Sequence, residues 1–261
     1  MDNPIGQHFR PDEQPLIEEF SALVQEAKDQ NRSILTNFLN PRQQHILTTL
    51  VNRDEELQLS FFGGFTNAEN QRGLIYPQYF VPEKADFLVK IFEIDYPVKF
   101  AELKHRQILG TLANSGIQRD TFGDIVHYQD RWQVATNGEL EKFFSNEITR
   151  IGRIKVRMQL AAPSEILTPV NDWERTQVTL ASLRLDSIVA TAFSISRHRA
   201  KELIEHRQVQ LNWMIDEKAD TIIARNDVIS VRKYGRIKLV EVLGKTKKDK
   251  LKTQLDLIKT R

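Results

Sequence analysis

The spacing of hydrophobic positions changes several times along this chain, and each change marks an expected element. Over residues 13–30, Leu16, Phe20, Leu23, Val24 and Ala27 recur at helical spacing, which predicts an amphipathic helix. Asn40-Pro41 offers an N-cap followed by a proline at the first helical position, so a second helix is expected there, with Ile46, Leu47 and Leu50 inward. Leu57–Phe62, closed by Gly63-Gly64, and Arg72–Pro77 read as short strands. The middle of the chain predicts a strand at Phe87–Ile94, a helix from about Lys99 to Asn114 and strands near Asp124–Tyr128 and Trp132–Thr136. A helix from about Gly138 to Ile151 and a strand at Ile154–Leu160 follow. That β-α-β-β-α-β order is a ferredoxin-like plait over 83–162, an arrangement common among RNA-binding modules.

Pro163–Pro169 reads as the start of a linker covering 163–176. Beyond it come a strand near Gln177–Leu180, a helix from Leu183 to about Phe193 and a second helix from Ser196 to near Arg207. Val209–Asn212 is a short strand, and Asp227–Val231 with Ile237–Val242 make a hairpin turning at Tyr234-Gly235. The expected class is α+β: an N-terminal α/β segment over 1–82, the plait, a C-terminal module over 177–244 and a basic tail over 245–261.

The chain has 261 residues, enough for two or three domains. With no cysteine it has no disulfide framework, thiolate nucleophile or Cys-ligated metal, which suits a reducing cytoplasm. Met1-Asp2-Asn3-Pro4 lacks the basic and apolar regions of a signal peptide, and no apolar run is long enough to insert in a membrane. The net charge of +2 conceals an asymmetry. From Gln177 to Arg261 there are 18 Lys/Arg against 10 Asp/Glu, and Arg232 to Arg261 alone holds 11 against 3. A polyanionic partner for the C-terminal part is the expectation, with a merely solubilising tail as the alternative.

The helix starting at Ser196 sharpens that expectation. Behind its N-cap come Arg197-His198-Arg199 and Lys201, where an acidic first turn would suit the helix dipole. Each misplaced cation costs on the order of 0.3–1 kcal/mol, and a phosphate bound there would offset the cost. The competing possibility is that Asp186, Glu202 or Glu205 neutralises these arginines.

Arg184-Leu185-Asp186, Ser196-Arg197, Ala200-Lys201, Leu203-Ile204, Val209, Leu211-Asn212 and Asp227-Val228-Ile229 resemble the RNA-binding domain named after ribosomal small-subunit protein four, the S-four domain. In that family two helices and a small sheet grip structured RNA, mostly through phosphates. The resemblance implies that Arg184, Ser196, Arg197, Lys201 and Asn212 line the RNA surface. Arg199, Arg207, Arg232, Tyr234, Arg236, Lys245, Lys247 and Lys248 complete the expected set. One departure stands at Arg207-Gln208, where a glycine usually precedes the valine strand.

The resemblance widens to YlmH-type proteins of bacteria through Ile5–Arg10, Leu35–Arg42, Gly63-Gly64-Phe65, Ala68-Glu69, His105-Arg106-Gln107, Gly110, Phe122-Gly123-Asp124, Tyr234-Gly235-Arg236 and Gly244–Lys250. It implies a bacterial, cytoplasmic protein binding rRNA of the large ribosomal subunit, or tRNA held on it. It also implies a part in ribosome quality control on stalled nascent chains and an association with cell division. Separately, His105, Arg106, Arg119, Arg153, Lys155 and Arg157, with Arg150, make the plait a possible second RNA surface, although paired exposed aromatics for base stacking are absent from its strands.

Catalysis is not expected. Gly244-Lys245-Thr246 lacks the first glycine of a P-loop, since Leu239 stands there. Arg184-Leu185-Asp186 resembles a pseudouridine-synthase motif, but Val189 replaces the expected threonine. No glycine-rich nucleotide loop and no i, i+4 histidine pair is found, so neither cofactor nor metal is expected. The expected molecule is a monomeric, non-catalytic RNA binder. The alternatives are an RNA-modifying enzyme, with Asp120 or Asp124 as its acid, and a cell-division scaffold.

Overall fold

Asn40 shows how local signals set the elements. Its side chain accepts from the Gln43 amide at 3.0 Å while the Gln43 side chain accepts from the Asn40 amide at 2.9 Å, a reciprocal cap that starts helix α2 (Pro41–Val51). The computed structural model describes residues 13–169, 173–225 and 227–260, so the Ile5–Arg10 motif lies outside the described residues. The chain divides into two units, one ending at Val170 and one beginning at Asn171.

In the first unit, α1 (Gln14–Asp29) and α2 pack on an antiparallel sheet of β1 (Ile34–Leu39), β2 (Leu57–Phe62) and β3 (Gln71–Pro77), in the order β1-β3-β2. The strand β1 was not anticipated. Its ladder with β3 is interrupted between Leu35 and Phe38, and there the Thr36 hydroxyl accepts the Gly73 amide at 2.9 Å instead.

The plait follows: β4 (Val89–Asp95), α3 (His105–Ala113), β5 (Phe122–Tyr128), β6 (Arg131–Asn137), α4 (Glu141–Glu147), a side ladder of β7 (Arg150–Ile151) with β8 (Ile154–Lys155), and β9 (Arg157–Leu160). The sheet order β5-β6-β4-β9, antiparallel throughout, is that of a ferredoxin-like fold. Phe92, Ile94, Ile108, Leu112, Phe122 and Phe144 fill the core between sheet and helices.

Several boundaries differ from expectation. Lys84–Phe87 is a 3-10 turn, so β4 starts at Val89. Residues 99–104 are not helical, and α3 starts only at His105. Gly138–Leu140 is 3-10, α4 stops at Glu147, and Ile151 is a strand residue. The expected strand Ile154–Leu160 is divided, because Lys155 pairs with Arg150 whereas Arg157 pairs with Asp95. The expected linker also carries structure. Pro163–Glu165 is a 3-10 turn, and Leu167 is buried with its amide donating to Gln133.

The second unit holds β10 (Glu174–Leu180), α5 (Leu185–Ala192), α6 (Arg197–Glu205), β11 (Val209–Leu211), β12 (Met214–Ile215), β13 (Val228–Val231), β14 (Gly235–Lys245) and β15 (Leu251–Lys259). They form one six-stranded sheet, β10-β15-β14-β13-β11-β12, with α5 and α6 on one face over Leu239, Leu255, Ile237 and Ile229. The expected basic tail over 245–261 is therefore corrected. Residues 251–259 are an internal strand between β10 and β14, with Leu251, Thr253, Leu255 and Leu257 turned to the core at period two.

Candidate nucleic-acid interface

Helix α6 is capped as its sequence demands: Ser196 accepts from the Arg199 amide at 3.1 Å. Its buried face is Ala200, Leu203 and Ile204, which leaves Arg197, His198, Arg199 and Lys201 outside. Each of these basic side chains has a carboxylate neighbour. Arg197 lies 2.7 Å from Asp186, Arg199 3.0 Å from Glu202, Lys201 3.5 Å from Glu205 and Arg207 3.3 Å from Glu217, while His198 is 3.4 Å from Glu202. The competing possibility weighed from the sequence is thus realised in its geometry.

Those pairs are of two kinds. Glu202, Glu205 and Glu217 are exposed carboxylates facing exposed cations, and such pairs contribute about 0–1 kcal/mol and exchange readily. Asp186 differs, because its side chain is only 8% exposed and it holds both Arg197 and, at 3.3 Å, Arg184. Burial alone would raise its pKa, but the hydrogen bonds and charges of the two arginines outweigh burial and hold the carboxyl below its ordinary value. One buried anion therefore fixes two guanidinium groups at the surface, leaving a net positive charge in a defined place.

The remaining expected residues fall into three places. Tyr234 packs its ring on Phe193 at 5.5 Å and engages Arg199, so it joins the α6 surface, and Arg232 lies exposed in the same turn. Arg207 sits just past α6 with φ +59, a left-handed position that favours glycine, within the Arg207-Gln208 stretch that departs from the S-four pattern. Asn212 faces inward instead: it donates to Asp227 at 2.8 Å and accepts from the Val228 amide at 2.9 Å, holding the β11–β12 turn. Lys245, Lys247 and Lys248 occupy the far end of the β14–β15 hairpin, on the order of 30 Å along the strand from Tyr234. There Lys245 pairs with Asp249 at 2.8 Å, and the lysines form no single patch with α6. Arg236 points to the opposite face of the sheet from Ile237 and lies over the rings of Trp173 and Trp213, 5.5 Å from each. Sequence reading passed over both tryptophans.

On the plait the expected second surface is dispersed. Arg106 lines a shallow cleft of about 510 Å³ with Arg150 and Gly152. Lys155 and Arg157 line another, of about 490 Å³, with Asp95 and Tyr96. Arg153 lies in the turn between β7 and β8, where its carbonyl accepts from Arg150 at 3.5 Å. Arg119 donates to the Phe122 carbonyl at 2.9 Å and lies 4.3 Å from that ring's centre. Desolvation, with the charges of His127 and Arg119, lowers the His105 pKa against the pull of Asp124, so His105 is a neutral ring at neutral pH. Asp124 accepts the Glu69 amide at 2.6 Å and both the amide and side chain of Asn70 at 3.0 and 2.7 Å, fastening the β2–β3 turn. Asp120 accepts from Asn37 at 3.2 Å. Both carboxylates considered as an acid thus have a structural task. Among the described residues, no cluster of three potential metal-ligating side chains occurs, and no helix is long and apolar enough to cross a membrane.

Comparison with known proteins matches this layout. The family model described as "Putative RNA-binding domain in YlmH" matches residues 82–165, and the S4 domain matches residues 183–229. The ribosome-associated protein quality control protein P2 of Bacillus subtilis (strain 168) is 35% identical over 246 residues, covering 94% of this chain and 95% of the relative. Among solved structures, the cell division protein ylmH from Streptococcus pneumoniae is similar with a TM-score of 0.54 and 35% identity, over 61% of this chain and 97% of that one. A likeness running nearly end to end, with the S4 helices at α5 and α6, means that the chain belongs to the YlmH-type family of S4-domain proteins.

Proposed function

We propose that this protein is a non-catalytic RNA binder of the large ribosomal subunit, or of tRNA held on it, acting in quality control of stalled nascent chains. The observation that carries the reading is the Asp186 arrangement. A buried carboxylate in the first turn of α5 orients Arg184 and Arg197 beside the N-terminus of α6, where the first turn has no acidic residue. Guanidinium groups held in this way match phosphate oxygens, and an incoming phosphate displaces the exposed Glu202 and Glu205 at little cost. Arg199, Lys201, Arg207, Arg232 and Tyr234 extend the same surface. The name of the Bacillus relative supports the ribosomal setting.

The test is cosedimentation with large ribosomal subunits. Arg197→Ala with Lys201→Ala is expected to lower affinity at least tenfold and to reduce the slope of log K against log salt by about 2, with a modest loss of stability because Asp186 then keeps only Arg184. Wild-type cosedimentation by this double variant would remove the assignment.

A further inference from the structure

The face of the six-stranded sheet turned away from α5 and α6 carries a second set of residues with nucleic-acid chemistry. We infer that this open face is a platform for single-stranded RNA, on which Trp173 and Trp213, clamped by Arg236, stack unpaired bases.

Three observations carry the inference, and none depends on the α6 surface. The first is charge. The ladder register sets Arg175, Asp256 and Lys238 in one row across β10, β15 and β14, with Arg236 and Lys252 on the same face. Four cations thus share the face with two carboxylates, Glu241 opposite Gln254 and Asp256, which Arg175 holds at 2.8 Å. Most of the other side chains along these strands on this face are small or polar, among them Gln177 and Gln254. A polar, cationic sheet face suits a phosphodiester backbone and offers little to an apolar protein segment.

The second is the aromatic pair. Trp173 and Trp213 come from opposite margins of the sheet, one just before β10 and the other from the β11–β12 turn, and meet over the same guanidinium. Both are half-buried. A guanidinium between two rings fixes their orientation through cation–π attraction. Aromatic rings beside cations on an open sheet are what single-strand modules use, since every base has a π-face.

The third is backbone strain. The β11–β12 connection is Asn212-Trp213, with φ +47 and +67. A two-residue hairpin of this conformation favours Asn-Gly, and a bulky side chain at positive φ is a costly choice. Asn212 anchors the turn through Asp227 and Val228, so the strained position is held in place and a tryptophan occupies it. Strain of this kind concentrates where a side chain serves a ligand.

The experiment titrates the full-length protein with fluorescently labelled single-stranded octamers, oligo(U) and oligo(A), and with a duplex of equal length. The variants are Trp213→Ala, Trp173→Ala, Lys238→Glu and the Arg197→Ala/Lys201→Ala pair. Either tryptophan variant is expected to weaken octamer binding about five- to a hundredfold while changing duplex binding little. Trp213→Phe is expected to restore most of it. The Lys238→Glu change, at a half-buried position of the row whose side chain points away from the core, gives the same weakening. The Arg197/Lys201 pair is expected to spare octamer binding, so failure here and failure of the α6 site remain distinguishable. Octamer binding untouched by all three open-face variants overturns the platform. So does an acidic peptide that displaces the octamer in a tryptophan-dependent way, which would make the face a protein-binding surface.

Discussion

Arg197 reaches back eleven residues to donate from Nη2 to Asp186 Oδ2 at 2.7 Å, so the leading cation of α6 is set by the second residue of α5. Two opposite outcomes follow for Asp186→Asn. Simple Coulomb attraction says that removing an anion tightens RNA binding. Orientation says the reverse, since Arg184 and Arg197 are left with one neutral acceptor oxygen in place of a carboxylate's two. We expect weaker binding, by several-fold in a filter or cosedimentation assay, and tighter binding would discard the positioning role.

The same carboxylate makes stability depend on pH. Its folded pKa lies below the unfolded value of 3.8, so its contribution is fully present above 3.8 and is lost as pH falls through the lower folded value. Urea midpoints measured at neutral pH and in steps below 3.8 should therefore fall more steeply for the wild type than for Asp186→Asn. Parallel curves would show that Asp186 is not the group responsible.

Arg207 occupies the left-handed position after α6, where its amide bonds to the Ile204 carbonyl and the next amide, of Gln208, to the Leu203 carbonyl. A glycine there relieves about 1 kcal/mol of backbone strain. Arg207→Gly should raise the melting temperature by a few degrees while weakening RNA binding about threefold to tenfold, because a cation is lost from the surface. A variant stabilised at full affinity would leave the departure from the S-four pattern without a functional reason.

What the chain made legible is local. Asn40, Pro41 and Gln43 carry their cap in sequence, and so does Ser196. The plait was readable because its strands and helices alternate clearly. Strand β15 shows why other features were hidden: Leu251, Thr253, Leu255 and Leu257 repeat at period two, yet the surrounding lysines made the segment look like a solvated tail. Strand β1 failed for a different reason, since its ladder breaks at Thr36 and the pattern breaks with it. The pairing of Arg197 with Asp186 and the meeting of Trp173 with Trp213 depend on how helices and strands pack, which periodicity alone does not encode.

Arg72 is a buried cation on the central strand β3, 3% exposed. It donates to the Thr36 carbonyl at 2.8 Å, the Asn137 side chain at 3.0 Å and the Leu88 carbonyl at 3.3 Å, joining the N-terminal sheet to the plait. Burial lowers its pKa to about 10, partly opposed by Glu139, so it stays charged at neutral pH. Arg72→Met removes three hydrogen bonds from a buried site, although Leu88 and Asn137 keep donors in the Gly138 and Glu139 amides, and should destabilise the first unit by roughly 1–3 kcal/mol in urea. RNA binding by α6 should survive below the midpoint. Stability within experimental error of the wild type would mean the three bonds are replaced by water.

Gly235 opens β14 at φ +137, opposite Lys259 of β15. A Cβ on this residue would lie 1.8 Å from the Ile258 carbonyl oxygen and 2.9 Å from its carbon, both backbone atoms that cannot rotate aside. Gly235→Ala therefore has to break the β14–β15 ladder where the two strands begin to pair, and with it the support under Tyr234, whose carbonyl accepts the Thr260 amide at 2.8 Å. The expected loss exceeds about 3 kcal/mol, the scale of the largest single-residue effects. Amide exchange should speed up along Ile237, Leu239 and Leu255 while the plait strands keep their protection. If the plait opens to the same extent, the two units do not unfold independently. If neither exchanges faster, the close approach of Gly235 to Ile258 is not a feature of the folded protein.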